Sequence, residues 1–243
     1  MTSPVPDSAG RVVVLTGAGM SAECGIPVFR GSGGLWEGSR PEDLATPEAF
    51  AADPERVWRW YRERLAGVLE AEPHAGYTAL AELERRLPDG AVTVITQNVD
   101  GMHRRAGSRR VVELHGNLTR ARCSAGCGRT RPTEEPEPNE MCSCGKGTWR
   151  PDVVWFGESL DPACLCAAER ALENADTAWV VGTSSVVYPA AALPRMAAER
   201  GVTVVEINPE TTPLSEYATR VLRGAASEEL VSLAAAWPEG STR

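Results

Sequence analysis

Six short β-branched runs recur along the chain with helix-patterned stretches between them, and this alternation restricts the fold more than any other feature. The runs are RVVVLTG from Arg11, AVTVITQN from Ala91, RVVELHG from Arg110, DVVWFGE from Asp152, TAWVVGTS from Thr177 and VTVVEIN from Val202. Each is apolar nearly throughout instead of alternating, the pattern of parallel strands covered on both faces. Between them, AGYTALAELERRL sets Leu80, Leu83 and Leu87 at helical spacing, and PACLCAAERALENA and PAAALPRMAAER are alanine-rich. Strand alternating with helix predicts an α/β fold built on an open parallel sheet. Two segments break the rhythm. Residues from about 31 to 73 carry helical pattern without a convincing strand. Residues from about 119 to 150 are rich in Cys, Pro, Glu and Gly, including RPTEEPEPNE, which cannot build a core of its own. Both are expected to be insertions that form a smaller domain against the sheet.

The 243 residues suffice for one large domain with an inserted module. A net charge of -8 argues against nonspecific attraction to nucleic acid or anionic membrane, while leaving room for a local basic pocket. The most apolar stretch, TAWVVGTSSVVYPAAAL, is interrupted by Gly, Thr, Ser and Pro and is no membrane span. MTSPVPDSAGR lacks the basic and apolar regions of a signal peptide. Seven cysteines, an odd number without an export signal, do not point to a disulfide framework. The expectation is a cytoplasmic, monomeric protein with neither nucleic acid nor membrane as partner.

The first strand runs straight into TGAGMSAECGIPVFRG. Gly17, Gly19 and Ala22 satisfy the G-x-G-x-x-G/A spacing, in which glycines let the backbone approach a pyrophosphate at a helix N-terminus. Glycine-rich turns are common, and it is the position after an apolar strand that makes this one a candidate nucleotide site. A hydride-transferring dehydrogenase would continue into a second strand with an acidic end about 20 residues on. Glu37 lies at that distance, yet the intervening CGIPVFRGSGGLW holds two glycine-rich turns and a proline and is no strand. That counts against an ordinary oxidoreductase.

GAGMSAECGIPVFRG, TQNVDGMH, ELHGNL, VVWFGE and VGTSSVVYPAA, in this order and spanning most of the chain, resemble the motif series of the sirtuins, NAD-dependent protein lysine deacylases. Met20 stands where the family has isoleucine and Cys24 where it has serine; neither change removes a group needed for chemistry. The resemblance implies a Rossmann-like NAD-binding domain from residues 1–35, 76–118 and 151–243. A helical module, 36–75, and a zinc-binding module, 119–150, would form the small domain. NAD would be consumed as co-substrate, and acyl-lysine proteins or peptides would be the partners.

By the same resemblance, Gln97 and Asn98 bind the nicotinamide ribose and Asp100 orients the nicotinamide amide. Phe29 and Arg30 cover the ring and the reacting ribose carbon. Ala18, Ser21, Ile26, Trp36 and Val99 complete that side of the site. Gly182, Thr183 and Ser184 stand at a strand end suited to phosphate or ribose, and Asn208, Pro209, Glu210 and Ala226 match adenosine-side positions. Taken without the family, Asn98 and Asp100 fit equally well a self-bonded turn, and a lone histidine such as His115 is more often packed or at the surface. His74 and His103 lie in less telling settings. A histidine's ordinary pKa of roughly 6.5 nonetheless suits a neutral-pH base. The family mechanism gives His115 that role, with Asn98 also catalytic. The substrate amide oxygen attacks the ribose carbon as nicotinamide leaves; the base then activates a ribose hydroxyl toward the resulting imidate, and O-acyl-ADP-ribose and free lysine are released. Val154, Trp155, Phe156, Gly157 and Glu158 would form the edge along which a peptide lies extended; a plain buried strand is the other reading.

Cys123 and Cys127 are separated by fourteen residues from Cys142 and Cys144. Two such pairs can supply four thiolates to a closed structural zinc site, with no open position for catalysis. The spacing is irregular, with three residues inside the first pair and one inside the second, and free surface cysteines are the alternative. Cys164 and Cys166, on an alanine-rich helix, read as packing residues.

VWRWYRERLAGVLE places Tyr61 and Arg64 three apart, on one helix face. A solvated helix face explains most such charges. A phenol beside a guanidinium also makes a carboxylate clamp, because the arginine fork fits two oxygens. One sirtuin branch prefers succinyl, malonyl and glutaryl groups, and its signature resembles this pair with an alanine sixteen residues earlier; here that is Ala45. The expected activity is therefore deacylation of acidic acyl-lysines with weaker deacetylation. ADP-ribosyl transfer to protein, and noncatalytic NAD sensing, are the competing functions.

Overall fold

The structure is a computed structural model that describes residues 10–28, 34 and 40–238. Its strands are β1 (Val12–Thr16), β2 (Val92–Thr96), β3 (Val111–Glu113), β4 (Gly116–Cys123), β5 (Thr130–Pro132), β6 (Trp149–Val153), β7 (Thr177–Val181), β8 (Thr203–Ile207) and β9 (Arg220–Leu222). Six of them form a parallel sheet in the order β3-β2-β1-β7-β8-β9. The strand order reverses at β1, and the crevice outside the carboxyl ends of β1 and β7 is where such sheets place ligands. The expected open parallel sheet is present, and five of the six apolar runs lie in it.

DVVWFGE is the exception and corrects the strand assignment. Only Asp152 and Val153 belong to a strand, and that strand, β6, pairs antiparallel with β4 in a separate three-stranded sheet of order β5-β4-β6. Val153 and Trp155 are buried in the core shared with the helix Pro54–Glu70 of the other insertion, Val154 packs against the main core, and Phe156 is exposed. The sixth parallel strand is β9, three half-buried residues beginning with Arg220. A strand of three residues that opens on an arginine is too short to show an apolar run.

The helices are α1 (Gly19–Ala22), α2 (Pro47–Ala52), α3 (Pro54–Glu70), α4 (Ala75–Arg86), α5 (Met102–Arg105), α6 (Pro162–Glu173), α7 (Ala192–Glu199) and α8 (Ala226–Ala236). The side chains of Thr46, Asp53 and Asp161 accept the N–H of Ala49, Arg56 and Ala163 at 3.1, 3.0 and 2.7 Å, and start α2, α3 and α6. Proline follows each cap, at a position whose N–H has no helical acceptor in any case. Each such cap stabilises its helix by about 1 kcal/mol.

Alternation along β1 divides the main core. Val12 and Val14 pack with Leu80, Leu83 and Leu230 under α4 and α8, while Val13 and Leu15 pack with Leu172 and Leu193 under α6 and α7. A third core joins the two insertions: Val57, Trp58, Tyr61 and Leu65 of α3 meet Ala121, Cys123, Trp149 and Trp155 of the small-sheet region. The Cys-rich segment thus shares a core with α3. Burying each of its large apolar side chains contributes about 1.5–3 kcal/mol. None of the described helices is long and apolar enough to cross a membrane.

Candidate active site

The glycine turn after β1 is pressed against the turn after β7. Gly17 N–H donates to Val181 O at 2.9 Å and Gly19 N–H to Gly182 O at 2.8 Å. A Cβ at Gly19 would lie 2.8 Å from the Gly182 backbone, and one at Gly182, whose φ is +58°, would lie 2.3 Å from Met20 N. Both turns therefore need glycine to bring the two strand ends together, before any ligand is considered.

A buried polar network fills the base of the crevice. Asn98 Nδ2 donates to Gly17 O at 2.9 Å and to Ser21 Oγ at 3.0 Å. The Ser21 hydroxyl donates to Asp100 Oδ2 at 2.6 Å and also meets the Tyr77 hydroxyl at 2.7 Å. Ser21 has one proton, which goes to Asp100, so Tyr77 is the donor to Ser21. Met102 N–H donates to Asp100 Oδ1 at 2.9 Å. Asp100 is 5% exposed, and burial pushes its pKa up against these hydrogen bonds. Ala18, Ser21, Ile26, Pro27, Arg64, Asn98, Val99 and Asp100 line one cavity. It brings the Asp100 carboxyl and the Arg64 guanidinium together among the apolar walls of Ile26, Pro27 and Val99.

His115 lies in the turn between β3 and β4, and its Nδ1 is 2.9 Å from the carbonyl oxygen of Gln97, the neighbour of Asn98. A carbonyl only accepts, so Nδ1 carries the proton and Nε2 keeps its lone pair, the form a general base needs. Burial lowers its pKa, against the backbone hydrogen bond. Gln97 is fixed in turn by donating from Nε2 to Thr183 Oγ1 at 3.1 Å, and Asn208 Nδ2 donates to Thr183 O at 2.9 Å. The structure thus gathers Gly17, Ala18, Gly19, Ser21, Ile26, Gln97, Asn98, Val99, Asp100, His115, Gly182, Thr183 and Asn208 at the carboxyl ends of the central strands. Ala22, Ser184, Pro209 and Glu210 are exposed around them, and Ala226 opens α8. Phe29, Arg30 and Trp36 lie outside the described residues.

The opposite wall comes from α3. Arg64 lines the same cavity as Asn98 and Asp100, and stacks 4.6 Å over the Trp60 ring. Burial lowers its pKa to about 10, opposed by Tyr61 and Asp100, so it is charged at neutral pH. Tyr61 is set deeper, 1% exposed, and its hydroxyl accepts from Trp155 Nε1 at 2.9 Å while keeping its own proton. Burial raises that phenol to about 12. Ala45 is tied in through its carbonyl, which accepts from Phe156 N–H at 2.9 Å. Val154 N–H donates to His115 O at 2.9 Å, while Phe156 and Gly157 are exposed at the rim. Glu158 turns inward: it pairs with Arg150 at 2.5 Å and accepts Trp155 N–H at 2.8 Å.

The four expected thiols converge, with all Sγ atoms within 4.8 Å of one another. Cys123 and Cys144 are 3.6 Å apart, and Cys127 and Cys142 3.8 Å. Tetrahedral zinc with Zn–S bonds of about 2.3 Å separates its sulfurs by about 3.8 Å, so the irregular spacing folds into a set that fits structural zinc. Lys146 N–H donates to Cys144 Sγ at 3.4 Å and, with further hydrogen bonds, lowers that thiol's pKa.

Sequence reasoning missed residues that hold this site together. Thr16 and Thr96 are opposite one another across β1 and β2. His74 accepts Gly76 N–H at Nδ1 and so donates from Nε2 to Met20 O at 2.8 Å. His103 is buried beneath the network. Only the strand register and the fold of the glycine turn bring them here.

A profile of the Sir2 family matches residues 17–189. The chain is 52% identical over 237 residues to an "NAD-dependent protein deacylase" of Thermus thermophilus, covering 96% of this chain and 92% of that one. It is 53% identical to "NAD-dependent protein deacylase 2" of Pyrobaculum aerophilum, covering 93% and 90%. Among solved structures, a Sir2 homologue in complex with NAD is similar with a TM-score of 0.82 and 49% identity, over 93% of this chain and 88% of that one. A Sir2 protein solved with a deacetylated p53 peptide and 3'-O-acetyl-ADP-ribose is similar with a TM-score of 0.80 and 33% identity, over 90% of each chain. With the sheet order, the cavity and the four thiols in place, these likenesses make the chain a member of the Sir2, or sirtuin, family.

Proposed function

We propose that this chain is an NAD-dependent protein-lysine deacylase that prefers lysines carrying acidic acyl groups. NAD, when bound, supplies the glycosidic bond that breaks and the ADP-ribose that accepts the acyl group. The buried network fixes Asn98 and Asp100 for the nicotinamide end, and Thr183 and Asn208 stand on the side assigned to the rest of the dinucleotide. His115, neutral and with Nε2 unprotonated, takes the proton of the attacking ribose hydroxyl. Ala45 and Trp155 border the acyl side, and the Arg64 guanidinium meets the far end of the acyl group.

The observation that carries the acyl preference is that Arg64 lines the same cavity as Asn98 and Asp100. A carboxylate pairing there gains a charge-assisted interaction of about 1.5–3 kcal/mol. An acetyl group brings no carboxylate to pair with the guanidinium and gains nothing from it. The test is incubation with NAD and acetyl-, malonyl-, succinyl- and glutaryl-lysine peptides, read by mass. Equal amounts of nicotinamide, free lysine peptide and acyl-ADP-ribose are expected, formed fastest from an acidic acyl group. A peptide gaining the mass of ADP-ribose would replace this reading with ADP-ribosyl transfer.

A further inference from the structure

His103 is 2% exposed, lies outside the cavity, and takes no part in the reaction as described. Its imidazole is nonetheless joined to the site along two routes. In the first, Nε2 lies 3.0 Å from Thr16 Oγ1, whose hydroxyl donates to Thr96 Oγ1 at 2.8 Å. Thr96 Oγ1 also accepts the backbone N–H of Asn98 at 3.0 Å. The single Thr16 proton is committed to Thr96, so His103 must donate from Nε2. Thr16 and Thr96 are the last residues of β1 and β2, immediately before the glycine turn and the Gln97–Asn98 pair. In the second, the His103 ring packs edge-on to Tyr77, with centroids 4.6 Å apart at 64°. Tyr77 donates to Ser21, which also accepts from Asn98 Nδ2. One route ends on the backbone of Asn98 and the other on its side chain.

The remaining ring nitrogen, Nδ1, is buried without a hydrogen-bond partner. An apolar residue in this space would avoid that cost, so the imidazole is retained for what Nε2 does. The geometry points to His103 as a positioning residue that orders Asn98 through Thr16 and Thr96 on one side and Tyr77 on the other. Its consequence for turnover rests on the deacylase reading above; its effect on Asn98 does not.

His103→Phe keeps an aromatic ring against Tyr77 and deletes the Nε2 donor, whereas His103→Gln places an amide N–H near the lost one. In the ligand-free protein, hydrogen exchange of the Asn98 backbone amide, followed by NMR, should quicken at least 10-fold in His103→Phe and return toward wild type in His103→Gln. In the acyl-peptide assay kcat should fall about 10-fold for the phenylalanine variant, with KM for peptide unchanged and the same rescue by glutamine. Unchanged exchange at Asn98 in a folded His103→Phe protein would overturn the proposal. So would a glutamine variant no better than phenylalanine. If the phenylalanine variant does not fold, Thr16→Val cuts the first route at its middle, and unchanged exchange there overturns the proposal equally. A wild-type chain with no deacylation but with the expected exchange pattern would refute the enzymatic reading and leave the positioning role standing.

Discussion

On the sheet side of the cleft, hydroxyls, amides, the Asp100 carboxyl and an imidazole are locked by hydrogen bonds of 2.6 to 3.0 Å around Asn98 and Ser21. On the α3 side the fixing groups are guanidinium ions and thiols. Arg150 lies 3.3 Å over the Trp155 ring and pairs with Glu158, Arg131 lies 4.4 Å over Trp149, and Arg64 covers Trp60. The first wall holds Asn98 in one hydrogen-bonded arrangement, which suits a co-substrate that is the same in every turnover. The second holds its cations against aromatic faces, contacts worth about 0.5–2 kcal/mol each, and under the proposed acyl preference a substrate carboxylate would compete with the one at Arg64. On that proposal, chemistry and acyl specificity are assigned to different interactions.

The contrast can be broken most severely at the thiols. Chelating the metal, or Cys142→Ser, should remove the small module's fold, since four-thiolate zinc supplies folding energy outright. Near-UV circular dichroism should lose the signals of Trp149 and Trp155, and deacylation should cease, while the parallel sheet keeps its far-UV signature. Retained near-UV signal after stoichiometric metal loss would show that the shared core with α3 suffices.

The sheet wall is sharpened by pH. Burial holds His115 below the ordinary histidine pKa, so its base form persists as pH falls through about 6.5. The acid limb of kcat/KM should lie below that value. Stability follows the same sign: the unfolded imidazole takes up a proton first, so the folded form loses stability as pH falls through about 6.5 and keeps it above. A limb above about 7 would show that another group governs the rate.

The smallest effect belongs to Tyr61→Phe. It leaves Trp155 Nε1 without its acceptor, and should lower unfolding free energy by about 1–2 kcal/mol in denaturant titration. Because the hydroxyl is set behind the cavity wall, its effect on succinyl-lysine KM should be smaller than that of removing Arg64. An equal effect would move Tyr61 from wall to contact.

How much of this was legible in the sequence differs between the walls for a physical reason. The buried parallel strands announced themselves because Val12–Thr16 and Thr177–Val181 are covered on both faces and must be apolar throughout. The small sheet did not: β4 alternates buried Ala121 and Cys123 with Arg120 and Arg122, which meet Asp152 of β6 and Glu113 of β3 in ion pairs that exist only once both strands are alongside. DVVWFGE reads as a sheet strand because Val153, Val154, Trp155 and Phe156 make an apolar run, and sequence cannot tell that the surface burying Trp155 includes α3. The glycine turn, His115 and the four cysteines were found as local patterns. The Thr96–Thr16–His103 and Tyr77–Ser21 connections were not, because they depend on strand register and on residues 56 to 87 positions apart.

The central claim, that Arg64 selects the acyl group while the sheet wall performs the chemistry, is tested most directly by the kinetics of Arg64→Met on succinyl- and acetyl-lysine forms of one peptide. The account predicts that KM for the succinyl form rises about 10- to 100-fold, the equivalent of one charge-assisted pairing, with acetyl-lysine kinetics nearly unchanged. Equal losses on both peptides would make Arg64 a structural residue and contradict the acyl preference.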